Sequence, residues 1–322
     1  MKAVVQHEFG TADVLEFSDV DRPIVGDAEV LVAVKAAGTH IGDWLVMNGL
    51  PYAIRAMGYG FTRPSNEVLG TEVAGRVEAV AEDVETFQPG DEVFGWCTGS
   101  FAEFVSVSED SLALKPANAS FEEAAGVPIS GFTALQAVRD KGEVQTGHKV
   151  MVIGASGGVG SFTVQIAKSF GAEVTGVAST RNLELVSTIG ADTVLDYTTQ
   201  DITETGQHYD VIIDTAGNRS LSHLRRALTR DGILVIVGGS GGRWLMGSGR
   251  SLRASMSSPF VSQTLRPFIS TPNQDDLTVL KGLIESGDVT TVVDRTYPLD
   301  QVPDAMRYLG ERHTQGKTII AV

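Results

Sequence analysis

The chain carries a single cysteine, Cys97, among 322 residues. One thiol excludes an intrachain disulfide and a multi-cysteine zinc site, so a reducing compartment is expected. No apolar run reaches about 18 residues, which excludes a conventional membrane-spanning helix. The opening Met1-Lys-Ala-Val-Val-Gln6 alternates like a strand and lacks the apolar core of a signal peptide, so a cytoplasmic location is expected. Bases are scarce as well: 25 Lys+Arg against 40 Asp+Glu leave a formal net charge of −15. That balance speaks against nucleic acid or anionic membrane as a partner, and an anionic ligand would need a local cluster of donors. Hydrophobic content of 42% and charged content of 20% are those of an ordinary globular protein, long enough for two domains.

The strict G-x-G-x-x-G dinucleotide pattern is also missing. What stands in its place is Lys149-Val-Met-Val-Ile-Gly-Ala-Ser-Gly-Gly-Val-Gly160, which spaces its glycines as G-x-x-G-x-x-G. Spacing alone is a weak signal, but the context strengthens it. Residues 150–153 read as a buried parallel strand, and 159–170 as a helix packing Phe162, Ile166 and Phe170. Glycines at such a strand-to-helix turn admit a tight bend and a close ligand, with helix N–H groups aimed at an anion. A dinucleotide is therefore the expected ligand.

The next predicted strand, 173–177, selects between the two nicotinamide cofactors. An NAD site places Asp or Glu at this strand's tip to accept from the ribose 2′-hydroxyl. Here the tip is Ala178-Ser-Thr-Arg181, and the only acid seen nearby, Glu173, lies at the strand's other end. Two hydroxyls and a guanidinium fork suit a 2′-phosphate, so NADPH is expected. A plainer role for Ser179 or Thr180 is to cap the helix that follows.

The first ~120 residues show short strand signals at 29–36, 72–80 and 91–94, with a Pro89-Gly90 turn of the kind that closes small barrels. Helix patterns appear at 121–125 and 133–139. From Lys149 the order is β-α-β-α, with strands at 150–153, 173–177, 193–195, 211–214 and 233–237 and helices at 159–170, 182–189 and 220–229. That predicts a doubly wound parallel sheet. A helix at 277–285 and strands at 292–297 and 317–322 are too few for a domain and are expected to rejoin the first. The expected division is 1–125, 126–268 and 269–322. No acidic residue falls at 232–274, while Arg243, Arg250, Arg253 and Arg266 do, beside Trp244, Leu245, Met246, Met256, Phe260 and Phe268. This segment suits an active-site cover, a phosphate clamp, a subunit interface or simply solvated amphipathic helices.

Taken together, Val68-Leu-Gly-Thr-Glu-Val-Ala-Gly-Arg-Val77, the Pro-Gly-Asp turn, Ala125–Leu135, Gly154–Gly160, Ser179–Arg181, Gly190-Ala-Asp192, Asp196-Tyr197, 211–217 and Val237-Gly-Gly239 resemble the medium-chain dehydrogenase/reductase superfamily. The likeness is to its zinc-free, quinone-oxidoreductase-like branch. It implies a GroES-like β-rich catalytic domain with an inserted Rossmann domain, a hydride-transfer cleft and assembly as dimers or tetramers, the dimer favoured. It also implies that Thr133 and the Gly238 and Gly239 backbone sit near the nicotinamide. Gly157, Gly158 and Val159 would hold the pyrophosphate, and Ser179, Arg181 and Tyr197 would surround the 2′-phosphate and adenosine.

Zinc-dependent relatives draw ligands from Gly-x-Cys-His-x-x-Asp and Gly-His-Glu motifs. Here those read Gly38-Thr-His-Ile-Gly-Asp43 and Gly70-Thr-Glu72, and Ala125-Gly-Val-Pro128 offers no third ligand. His40 and Glu72 alone complete no tetrahedral set, so no metal is expected. Without a Lewis acid, conjugated acceptors such as quinones and α,β-unsaturated carbonyls suit hydride transfer best, because conjugation spreads the incoming charge. His40 stands where branch members carry Asn; it either protonates the acceptor oxygen or only hydrogen-bonds the cofactor or a backbone carbonyl. Trp44, Tyr52, Tyr59 and Phe61 either wall a flat substrate or pack the core. Two further readings stand beside the reductase: a zinc-free NADP-dependent alcohol or carbonyl dehydrogenase, and an NADPH-binding redox sensor with little catalysis.

Overall fold

A computed structural model of the chain describes residues 1–237, 254 and 262–322. It divides into two compact units, Met1–Phe132 with Pro272–Val322, and Thr133–Thr271.

In the first unit β1 (Lys2–Gln6) pairs antiparallel with β2 (Leu15–Asp19). The main sheet uses β3 (Glu29–Thr39), β4 (Glu72–Val80), β5 (Glu92–Trp96), β6 (Phe104–Ser108) and β7 (Leu112–Leu114). Valine dominates its core: Val30, Val32, Val34, Val73, Val77, Val93, Val105 and Val107 are all buried in one cluster. β-branched side chains suit a pleated surface, and each such burial contributes about 2 kcal/mol. Between β4 and β5 the chain reverses at Pro89-Gly90, where Asp91 N–H donates to Gln88 O and Gly90 takes φ +99°. Only glycine enters that region cheaply, as a type II turn requires. Helices α1 (Ile41–Asn48) and α2 (Phe121–Ala125) follow capping boxes at His40 and Ser120, and the division between units falls inside α3 (Pro128–Gln136).

The second unit is a six-stranded, fully parallel sheet. Its strands are β8 (Lys149–Ile153), β9 (Glu173–Ala178), β10 (Thr193–Asp196), β11 (Tyr209–Asp214), β12 (Leu228–Ile236) and β13 (Thr264–Pro267), in the order β10-β9-β8-β11-β12-β13. Helices α4 (Gly158–Ser169), α5 (Leu183–Thr188) and α6 (Leu221–Arg225) belong to its crossovers. This is the doubly wound order, in which the chain reverses direction between β8 and β11 and ligands bind beyond the strands' carboxyl ends. The interior of β8 is wholly buried, as a strand covered on both faces must be.

The last 51 residues supply α7 (Gln274–Glu285), β14 (Val293–Pro298), α8 (Val302–Gly310) and β15 (Lys317–Ala321). β15 runs antiparallel to β3 and parallel to β14, giving the seven-stranded order β14-β15-β3-β4-β5-β7, with β6 on β3.

The architecture is the expected α/β one, with local departures. The helix expected over 220–229 stops at Arg225, because Leu228 already pairs with Tyr209 at the start of β12. β13 was not expected at all. Its Arg266, from the acid-free segment, donates to Lys141 O and pairs with Glu143 at 2.6 Å. Gly238, Gly239, Arg243, Arg250, Arg253, Trp244, Leu245, Met246, Met256 and Phe260 lie outside the described residues.

Candidate functional site

The dinucleotide cradle is built by three glycines that differ in why they are needed. Gly154 leaves β8 with φ +81°, a conformation that costs any other residue strain. A Cβ on Gly160 would run into the carbonyl of Gly154, so helix and strand could not pack. Gly157, the N-cap of α4, has ordinary dihedrals (φ −83°, ψ 176°), and a Cβ there would meet only Gly154 O, at 3.5 Å. Nothing among the described residues demands that this residue lack a side chain, which leaves a small open face above the helix start. The first N–H groups of α4, at Gly158 and Val159, have no intrahelical acceptor. The first turn holds no acidic side chain. A cradle of this form fits a pyrophosphate.

At the tip of β9, Ser179 makes no capping bond with its side chain. Arg181 is exposed and Tyr197 is 46% exposed. One expectation needs correcting, because a second acid does reach this tip. Parallel register sets Asp196 of β10 beside Ala178. Asp196 Oδ2 accepts from Thr180 Oγ1 at 2.6 Å, and its Oδ1 accepts from Thr198 Oγ1 and N–H. These donors hold the carboxyl below its ordinary range. Sequence spacing hides this acid, since only strand register brings it to the tip. The Thr180 hydroxyl is thus committed to Asp196, while Ser179, Arg181 and Tyr197 stand around it. Asn182 Nδ2 donates to Ser156 Oγ at 2.8 Å, tying this tip to the glycine loop. Thr133, on α3, is buried with its hydroxyl 2.8 Å from that of Ser270.

In the first unit, β3 ends where α1 begins, and His40 sits between them as the N-cap. Its Nδ1 accepts from Gly42 N–H at 2.9 Å, so that nitrogen carries no proton and Nε2 does. Nε2–H then donates to Thr71 Oγ1 at 2.7 Å, and Thr71 donates onward to Asp43 Oδ1 at 2.9 Å. Asp43 Oδ2 accepts from His40 N–H, closing a capping box. Gly42 must be glycine, because a Cβ would overlap the imidazole. Burial pushes the imidazolium down to about 4, against the pull of Glu72, and pushes the Asp43 carboxyl up to about 6 despite its hydrogen bonds.

Beneath this cap lies an ion pair that sequence reasoning missed. Lys317 Nζ meets Glu72 Oε2 at 2.6 Å, with both side chains at most 2% exposed. Ile129 N–H donates to Glu72 Oε1, and Lys317 Nζ also reaches Ser130 Oγ at 3.2 Å. Glu72 is therefore fully engaged. A lysine opening the apolar run Lys317–Ala321 was the available signal. Cys97 is partly covered, and burial pushes its thiol up to about 12.

The expected wall residues separate. Trp44 packs into the apolar cluster of α1 and α8. Tyr52, Tyr59 and Phe61 remain 38%, 40% and 74% exposed on one loop, with Met57 at 62% between them.

Residues 26–117 match the Alcohol dehydrogenase GroES-like domain and residues 189–320 the Zinc-binding dehydrogenase family. An Arabidopsis thaliana protein named as a chloroplastic NADPH-dependent alkenal/one oxidoreductase is 34% identical, over 99% of this chain and 79% of its own length. The NADPH complex of the Escherichia coli quinone oxidoreductase superposes with a TM-score of 0.85 at 26% identity, covering all of both chains. A structure described as an NAD-dependent alcohol dehydrogenase gives the same TM-score at 30% identity, again over both full chains. The chain belongs to the medium-chain dehydrogenase/reductase superfamily, in its quinone-oxidoreductase-like branch.

Proposed function

We propose that the protein is an NADPH-dependent oxidoreductase that reduces quinones or α,β-unsaturated carbonyls without a metal. The observation that carries this reading is an α4 start left open by Gly157, beside a β9 tip that offers Ser179 and Arg181. The names of the Arabidopsis relative and of the Escherichia coli complex support both the cofactor and the acceptor class. NADPH, when bound, supplies the hydride.

The residues divide the remaining work. N–H groups at Gly158 and Val159 take the pyrophosphate, and Gly157, whose own N–H donates to Gly154 O, leaves room for its approach. Ser179 and Arg181 take the 2′-phosphate, and Tyr197 lies against the adenosine. Thr133 borders the nicotinamide. Tyr52 and Tyr59 offer ring faces to a flat acceptor. His40 we assign to positioning, since both ring nitrogens already serve the α1 cap and Thr71. A conjugated acceptor tolerates this arrangement, because its oxygen gains charge gradually and can be protonated from water.

The donor set argues for the metal-free reading. Thr71 occupies the second ligand position, His40 is spent on hydrogen bonds, and among the described residues no three His, Cys, Asp or Glu side chains converge. A homodimer in the cytoplasm completes the proposal. Light scattering and cell fractionation test those two points; no described helix is long and apolar enough to cross a membrane. The alcohol dehydrogenase reading is kept by the full-length likeness at 30% identity.

Steady-state oxidation of NADPH and NADH by chelator-treated protein, with an ortho-quinone as acceptor, tests the proposal. Turnover preferring NADPH supports it. NADPH binding without turnover of any quinone or enone refutes it, and alcohol oxidation by the same protein would establish the second reading.

A further inference from the structure

The loop that follows α1 is exposed and apolar, yet one cation ties it down. Arg55 lies with its guanidinium 4.4 Å from the Phe9 ring centroid and 5.1 Å from that of Tyr52. Its Nε donates to Gly49 O at 2.9 Å, and its Nη1 to Phe61 O at 3.3 Å. Gly49 is the left-handed C-cap of α1, and Gly10 N–H donates to Met47 O, so both Phe9 and the helix end are fixed points. The far side of the loop is closed by Ser65, whose N–H and hydroxyl donate to Tyr59 O and Gly58 O. Arg55 therefore joins the rigid end of α1 to the two ends of the exposed stretch, Tyr52 and Phe61.

We propose that Arg55 is the positioning residue for acceptor recognition, holding Tyr52 and the Phe61 end of the loop so that their exposed rings present one fixed surface to a flat conjugated acceptor. The proposal rests on the reading of this protein as a quinone or enone reductase. Its physical basis is ordinary. A loop of exposed aromatics binds well only if its shape is settled beforehand, since ordering it on binding would consume affinity. A guanidinium can do this where an ammonium cannot, because its planar fork donates in two directions while stacking on rings.

The test uses the full chain with NADPH and phenanthrenequinone, comparing wild type with Arg55→Ala and Arg55→Lys. Arg55→Ala is expected to raise the acceptor KM about tenfold, with a smaller fall in kcat and an NADPH Kd within about twofold of wild type. Arg55→Lys keeps the cation over the rings but loses the fork, so its KM should lie between the two. A second readout needs no turnover. Chymotrypsin cleavage after the exposed Phe61, on the same loop, should accelerate in Arg55→Ala as the loop opens more often. Unchanged cleavage, or an unchanged KM with faster cleavage, overturns the inference. If Arg55→Ala does not fold, Arg55→Lys carries the same comparisons. Wild-type protein that reduces no acceptor sinks the proposed function and the recognition role together, while cleavage still reports whether Arg55 holds the loop.

Discussion

His40 Nε2 stands 2.7 Å from Thr71 Oγ1, two residues that the resemblance sets at or near the positions of metal ligands in zinc-dependent members of the superfamily. A hydrogen bond joins them across 31 positions of sequence. The same bond commits the imidazole to the protein, with Asp43 behind Thr71 and the α1 cap behind Nδ1.

This arrangement has a pH signature of two opposed slopes. Asp43 is raised to about 6, so the folded state holds its proton more tightly and stability falls as pH rises from about 4 to 6. His40 is lowered to about 4, so the folded state resists its proton and stability falls as pH drops from about 6.5 to 4. Each slope is about 1.4 kcal/mol per pH unit at most, and in the wild type they largely cancel. Asp43→Asn should expose the His40 slope, losing stability relative to wild type as pH falls through this window. His40→Asn, which preserves a good N-cap, should gain it. Urea unfolding at several pH values between 4 and 6.5 reads both; parallel curves for all three proteins would refute the coupling.

Much of this was legible beforehand, and the reasons are specific. The glycine loop, the strands around it and the hydroxyls and guanidinium of Ser179–Arg181 announce themselves because period and residue type are local properties. Glu72 and Lys317 could not be paired by inspection, since 245 positions separate them. Asp196 escaped for a similar reason, as only the β9–β10 register sets it beside Ala178. The end of α6 was misplaced because a tertiary pairing, Leu228 with Tyr209, overrides a helical pattern. β13 is four residues long and ends in a proline, too little for any periodicity to show. His40 was seen but its capping bond was not, because capping depends on Gly42 as much as on the histidine.

The Glu72–Lys317 pair should behave as a buried ion pair rather than a surface one. Lys317→Met leaves a buried carboxylate without its counter-charge, the Ile129 N–H remaining as a donor, and should cost about 3–5 kcal/mol in denaturant unfolding. Lys317→Met with Glu72→Gln should recover a large part of that loss, because no charge is then left behind. A single-variant loss below about 1 kcal/mol would mean that water reaches the pair.

Cofactor choice should depend on Arg181 and not on Thr180. The Thr180 hydroxyl is already given to Asp196, whereas Arg181 is exposed at the tip. Arg181→Ala should lower the NADPH-over-NADH preference about tenfold or more, the worth of one charge-assisted contact. Thr180→Val should shift it far less. The ratio of kcat/KM values for the two cofactors decides, and an equal effect of both variants would show that the tip acts as one unit.

The two glycines flanking the start of α4 should separate binding from folding. Gly160→Ala drives a Cβ into the Gly154 carbonyl, so the turn must distort and stability should fall by about 2 kcal/mol, with dinucleotide binding lost as a consequence. Gly157→Ala meets no obstacle among the described residues, and its dihedrals suit alanine, so the melting temperature should hardly move. The added methyl instead stands in the open face above the helix N-terminus, where a pyrophosphate must approach the backbone closely. NADPH affinity measured by fluorescence titration should therefore drop about tenfold or more while the fold stays intact, since a pyrophosphate pushed back from N–H donors loses charge-assisted hydrogen bonds. Undiminished affinity in Gly157→Ala would move the phosphate site away from this helix, and the assignment of Gly158 and Val159 would go with it.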